Sequence, residues 1–264
     1  MSSALTIVRC YMRLSLQQEM AYRADFWSSV VGSLLNAASG LLGLVVVFSH
    51  TETIRGWDVN QTTAVLGTWL LLAGLRGIVL DPSLDALSGM NGEVWTGQFD
   101  YTLLRPVGLQ FHVSVRKWRL LALLDVVLGA AVMAAALSRI GQPIGIGSIL
   151  LFLALVTTGV LIVYSILLLL SSLVFLSPGF FFTWIFNALF PAGRYPLQFY
   201  PRWLRALLTW VVPVGIVATA PAGAITGSLS AGTALTSVGV AVLFLTVASW
   251  SFRRAVRKYT GASS

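Results

Sequence analysis

Apolar runs about as long as a bilayer is thick recur along the chain, and nothing constrains its fold more. A spanning helix needs roughly 20 consecutive apolar residues. Runs of that order cover residues 26–48, 62–80, 120–137, 149–170, 175–190 and 234–250. Only 10% of the chain is charged against 57% hydrophobic, whereas a soluble domain carries about 25% charged residues. Such a composition cannot cover a surface facing water. The expectation is an all-α polytopic membrane protein with six transmembrane helices. About 25 residues precede the first run, more than the short basic lead of a secretory signal, so that run reads as a span rather than a cleaved peptide.

A further apolar stretch, residues 206–225, is interrupted by Pro213 and Pro221, which remove backbone donors, and by Gly215 and Gly223. The charges decide how it should be counted. Arg9, Arg13 and Arg23 precede the first span, and Arg253, Arg254, Arg257 and Lys258 follow the last. Both ends therefore belong in the cytoplasm, which requires an even number of crossings. Residues 195–227 become a broken, re-entrant outer element before the last span, and residues 81–119 become a cytoplasmic loop carrying Arg105, Arg116, Lys117 and Arg119. The outside keeps Arg55, Arg139, Arg194, Arg202 and Arg205. This sorting accounts for most of the net charge of +8 without a nucleic-acid partner. Ahead of the first span, Arg9, Arg13 and Gln17 form one stripe beside Val8, Tyr11, Met12 and Leu16. That pattern suits either an amphipathic helix on the cytoplasmic face or a solvated lead-in.

Several chemistries lack their residues. A phosphate-binding loop needs Lys after Gly, but Lys117 follows Arg116 and Lys258 follows Arg257. His50 and His112 have no metal-site spacing and fall on opposite faces of the expected topology, and Cys10 is the single cysteine. No G-x-S-x-G elbow occurs. No catalytic residue, metal or bound cofactor is assigned.

The informative stretch follows the second span. Asp81 can cap a helix with Pro82 at its first position, so the sequence predicts a short cytoplasmic coupling helix here, with Leu84, Leu87, Val94 and Trp95 as its apolar side. Asp85 and Glu93 would supply exposed charge for a partner, unless the segment is only a solvated connector. Gly97-x-Phe99-Asp100-x-x-Leu103-Leu104-Arg105-Pro106-Val107 resembles the loop after the second span in permeases of the ABC-2 type exporter superfamily. The resemblance extends to the amphipathic amino-terminal helix, six spans and a proline-punctuated outer element. It implies a permease subunit of an ATP-driven exporter in the bacterial cytoplasmic membrane. Such a subunit is embedded in the lipid bilayer, pairs with a second permease and couples to a separate ABC ATPase subunit that holds ATP and Mg. The coupling role it implies falls on Asp85, Glu93, Gly97, Asp100, Arg105 and Pro106, with Gly97 and Pro106 shaping the turn. Asp100 and Arg105 could instead pair with each other. The rival is a secondary transporter or channel without an ATPase, although such proteins often carry paired broken helices and this chain has one.

Two ionisable residues fall inside spans, Arg76 and Asp125, at similar expected depth on antiparallel neighbours. An intramembrane ion pair is the economical reading, a cargo or proton role the alternative. Phe182, Trp184, Phe186 and Asn187 would line a translocation path, or face lipid. Gly32, Asn36, Gly40 and Gly43 give the first span a small-residue face suited to a second permease or to packing within the subunit.

Overall fold

The computed structural model describes residues 4–21, 23–105, 107–141 and 143–259. The chain is all-α apart from one hairpin. Helices α1 (Ala4–Ala21) and α2 (Arg23–Phe48) lead to strands β1 (Thr53–Ile54) and β2 (Trp57–Asp58), then α3 (Val59–Asp85). Short helices α4 (Gln98–Leu103) and α5 (Leu109–Val115) precede α6 (Leu123–Ile140) and α7 (Ile146–Ser172). After α8 (Thr183–Leu189) and α9 (Arg202–Ala206) come α10 (Val214–Thr226) and α11 (Ala231–Arg257). Among the described residues, five segments are long and apolar enough to cross a bilayer: Asp25–Phe48, Val59–Asp85, Leu120–Ile140, Ile146–Phe175 and Ala231–Arg257. A sixth, bent element joins Arg202–Val211 to Val214–Thr226 at 91°.

The hairpin sets the entry to α3. Arg55 and Gly56 both take positive φ, 49° and 84°, as a two-residue turn matching strand twist requires. Thr53 pairs with Asp58 and Ile54 with Trp57. Asp58 then caps α3, accepting from the Gln61 amide at 2.7 Å, while its own amide donates to the Gln61 side chain at 3.4 Å. The long helix that follows carries much of the core, with Val65, Leu66 and Leu70 fully enclosed. It packs against α6 at backbone distance. A Cβ on Gly67 would stand 2.7 Å from the Met133 nitrogen, one on Gly74 2.6 Å from the Val126 nitrogen, and one on Gly129 would strike the Leu71 nitrogen. Small residues allow this approach where lipid supplies no hydrophobic drive for helices to associate.

Two expectations are corrected. No new helix starts at Asp81: α3 runs on to Asp85 with Pro82 inside it. Pro82 has no N–H for the Ile78 carbonyl one turn back, and the Arg119 amide takes that place at 2.7 Å. The helix survives its proline because the returning chain supplies the missing donor. Residues 175–190 are likewise not a spanning helix. Gly179 takes φ 88° directly after Pro178, and α8 is only seven residues long. From there the chain climbs along α3 by discrete contacts. Thr183 meets Asp85, Asn187 meets Arg76, the Trp69 indole donates to the Phe190 carbonyl at 2.9 Å, and Arg55 reaches the Gln198 carbonyl at 2.8 Å.

The bend in the sixth element has a local cause. Leu207–Val211 forms a π-helical turn and Pro213 cannot donate, so the chain turns before α10. Helix α10 is enclosed almost along its whole length, with a Cβ on Gly159 of α7 falling 3.1 Å from the Val217 carbonyl. At one end of the bundle, Phe99, Phe175, Phe252 and Tyr259 form an aromatic cluster with centroids 5.0 to 6.0 Å apart. This joins the ends of α7 and α11 to the loop after α3. Helix α1 docks on the same end through Ser15, which accepts from the Trp118 amide at 3.1 Å, and Glu19, which accepts from the Leu120 amide at 3.0 Å.

The α3–α6 approach yields a contrast. Gly67→Val should lower thermal stability by about 1–3 kcal/mol through overpacking, whereas Gly147→Ala, whose Cβ would meet nothing within 4 Å, should leave it nearly unchanged. Thermal unfolding of the purified variants in one detergent checks the difference.

Candidate functional site

The loop between α3 and α6 is a built platform rather than a solvated connector. The Glu93 amide donates to the Ala86 carbonyl at 3.0 Å and the Phe99 amide to the Glu93 carbonyl at 3.0 Å, which folds residues 86–99 back on themselves. Gly97 supplies φ 75° at the start of α4, a left-handed conformation that glycine adopts without a Cβ clash. Phe99 is fully buried and anchors α4 in the aromatic cluster. Ser83 ties the end of α3 to the far side of the loop, donating to the Lys117 carbonyl at 2.8 Å and accepting from the Lys117 amide at 3.0 Å.

The charged residues of the loop mostly face one another. Glu93 forms a salt bridge with Arg116, whose side chain is only 6% exposed. The Thr102 hydroxyl donates to the same carboxylate at 3.4 Å. Burial draws the Arg116 guanidinium below its ordinary range, and Glu93 opposes that shift. Asp85 accepts from Thr183 at 2.7 Å. Neither acid is fully exposed, contrary to the expectation of free acidic contacts, because Pro82 lies inside α3 and the next turn faces protein. Arg105 does not pair with Asp100 among the described residues. Its guanidinium donates to the Tyr11 hydroxyl at 3.3 Å, and Tyr11 lies 2.9 Å from His112 Nδ1. Asp100 sits beside Tyr259, whose phenol is pushed up by burial first and by that carboxylate second. Pro106 lies outside the described residues. Between α1 and the loop, Tyr11, Glu93, Gln98, Arg105, His112 and Arg116 line a cavity of about 390 Å³.

The expected pair of Arg76 with Asp125 does not form. Arg76 Nε lies 3.0 Å from Asp81, Nη2 donates to Asn187 at 2.7 Å, and the guanidinium lies 4.2 Å from the Phe190 ring centroid. Because α3 continues past Pro82, Asp81 stays one turn beyond Arg76 and claims it. Asp125 lines a different cleft, between α2 and α6. The expected path residues are not brought to one surface either. Phe186 is fully buried, Trp184 is 53% exposed, Phe182 packs at a tilt against Phe180 with centroids 4.6 Å apart, and Asn187 serves Arg76. Gly40 and Gly43 receive Leu66 and the Tyr195 hydroxyl from the same subunit. The residues missed in the sequence are Arg116, Ser83, Tyr11 and His112. Arg116 was visible only as one positive charge among several near a span.

Two outcomes follow from this geometry. Glu93→Ala should destabilise the protein by about 3–5 kcal/mol, since it leaves a buried guanidinium uncompensated, and adding Arg116→Met should restore much of the loss. Thermal melting of the single and double variants tests this. His112 is held down to about 4, by burial first and then by Arg105 and Arg116. An unfolded His takes a proton near pH 6.5 while the folded one resists it, so stability should fall as pH drops from about 6.5 towards 4. In His112→Gln that slope should flatten, as read by denaturation over the same pH range.

The comparison with curated proteins finds no match. A family profile described as ABC-2 family transporter protein does match, over residues 34–263. That span takes in every long apolar helix from within α2 onward, the α3–α6 platform and the bent element, so the chain belongs to the ABC-2 family of transporter membrane proteins.

Proposed function

We propose that this chain is the permease subunit of an ATP-driven exporter, working beside a second permease and coupled through residues 86–105 to a separate ABC ATPase. The observation that carries this is the platform itself. A loop that only joined two spans would not need an internal salt bridge, an aromatic anchor and a docked α1. The outward side of α4 offers apolar knobs, with Tyr101 73% and Leu104 81% exposed, while Gln98, Arg105 and Lys117 border the adjoining cavity. Exposed aromatic and aliphatic anchors ringed by polar groups suit a protein groove. Asp85, Glu93 and Gly97 then act from behind, holding α4 in position, and Asp100, Arg105 and Pro106 belong to the same loop. The chain's lack of a phosphate loop agrees with hydrolysis on another subunit.

The platform end also gathers Arg9, Arg13, Arg116, Lys117, Arg253, Arg254, Arg257 and Lys258, which supports a cytoplasmic position for it and for both chain ends. Six crossings result when 183–200 is counted as an irregular crossing shielded by α3 and 202–226 as a re-entrant outer element. Non-helical backbone at that depth is tolerated where protein covers it. The exposed apolar faces of α1, with Leu14 52% and Leu16 40% exposed, suit a helix lying in the bilayer interface.

The test uses crosslinking in native membranes. With Cys10→Ser as background, Tyr101→Cys should crosslink to a protein that mass spectrometry identifies as an ABC ATPase. Leu104→Glu should lower ATPase co-purification several-fold while leaving the melting temperature close to the parent's. Because the ATPase works where ATP is, the same crosslink fixes which side the platform faces. No ATPase crosslink at any position in 86–105, together with downhill cargo movement without ATP, overturns the reading in favour of a secondary transporter or channel.

A further inference from the structure

With Arg76 claimed by Asp81, Asp125 is left facing a cleft of about 280 Å³ between α2 and α6. Ser29, Gly32, Ser33 and Asn36 line it from α2, and Arg119 and Asp125 from the other side. Asp125 Oδ1 is enclosed by protein without a hydrogen-bond partner among the described residues, which leaves Oδ2 as the carboxylate oxygen open to the cleft. Among the described residues Arg119 makes no ion pair, and the two charges do not bridge each other within salt-bridge distance. An intramembrane carboxylate and an exposed guanidinium at the end of the span thus line one cleft without bridging each other, which suits a ligand carrying both signs, the unpaired carboxylate being the costly group at that depth.

Size and depth narrow that ligand. At about 280 Å³ the cleft stands at the small end of ligand sites, a size suited to a headgroup. Asp125 lies five residues into the apolar segment Leu120–Ile140 and Ser29 four residues into Asp25–Phe48. At about 1.5 Å rise per residue both sit within roughly 8 Å of the span ends, at the level where phospholipid headgroups meet acyl chains.

We propose that this cleft binds the zwitterionic headgroup of a membrane phospholipid, with its ammonium on the Asp125 carboxylate and its phosphate on the Arg119 guanidinium. The Ser29 and Ser33 hydroxyls complete the polar lining. Asn36, which already accepts from Arg194, lines the deeper end of the cleft. The site belongs to this chain's own helices and stands apart from the coupling to an ATPase.

The full-length protein is reconstituted in nanodiscs with photo-crosslinkable phosphatidylethanolamine or phosphatidylglycerol, the second carrying phosphate but no ammonium. Wild type should be labelled at least about tenfold more by the first, as expected for one charged hydrogen bond, with labels mapping to residues 29–36 and 119–125. Asp125→Asn should bring the two lipids to equal labelling without changing the melting temperature. Gly32→Leu, at a position where a Cβ meets nothing within 4 Å, should fill the cleft and abolish labelling by both. It also serves as the deciding variant if Asp125→Asn fails to fold. Soluble glycerophosphoethanolamine should compete only at far higher concentration. Equal labelling of wild type by both lipids, labels elsewhere, retained labelling in Gly32→Leu, or equal competition by the soluble headgroup overturns the proposal.

Discussion

At several points where this chain leaves regular helix between the ends of its bundle, another part of the protein takes up the freed backbone groups. A bilayer offers no water for that purpose, and each unsatisfied N–H or C=O there costs several kcal/mol. The Ile78 carbonyl, orphaned by Pro82, accepts from the Arg119 amide. Trp69 serves the Phe190 carbonyl where α8 gives way to a tighter turn, and Tyr200 serves the Ala192 carbonyl. Arg55 and Arg205 both reach the carbonyls of Gln198 and Tyr200. These bonds make the irregular stretch 183–200 possible and hold it against α3. They also explain why Arg residues sit where a simple charge count would place them reluctantly.

Helix α3 is the common partner in that arrangement. Its glycines admit α6 to backbone distance, its Arg76 holds α8, and its last turn carries Ser83 and Asp85 into the loop. The platform therefore shares one helix with both the α3–α6 contact and the 183–200 segment. For a transporter membrane protein this arrangement links one end of the bundle to its interior by direct contact.

The loop itself inverts a common intuition about charged motifs. Acidic residues in a loop invite a reading as partner contacts, but Glu93 is spent on Arg116 and Asp85 on Thr183. What remains outward includes Met90, Trp95, Tyr101 and Leu104, with Arg105 and Lys117 beside them. The two acids shape the platform from within.

The sequence by itself determined that the chain is helical and membrane-embedded, because apolar run length and scarce charge leave no other way to satisfy a backbone in lipid. The proline- and glycine-broken stretch before the last span was legible for the same reason, since Pro213 cannot continue a helix. The loop motif at residues 97–107, taken with the layout of the spans, pointed to the right family. Local reasoning failed where a distant segment supplied the missing group. Pro82 reads as a helix start until Arg119, 37 positions on, donates in its place. Residues 175–190 read as a span because apolar length cannot report the left-handed turn at Gly179. Arg76 and Asp125 read as partners because depth along two helices says nothing of rotation about them. Only tertiary structure decided that Asp81 takes the arginine and that Asp125 faces the cleft beside α2, because pairing depends on which faces meet and a hydropathy pattern carries depth alone.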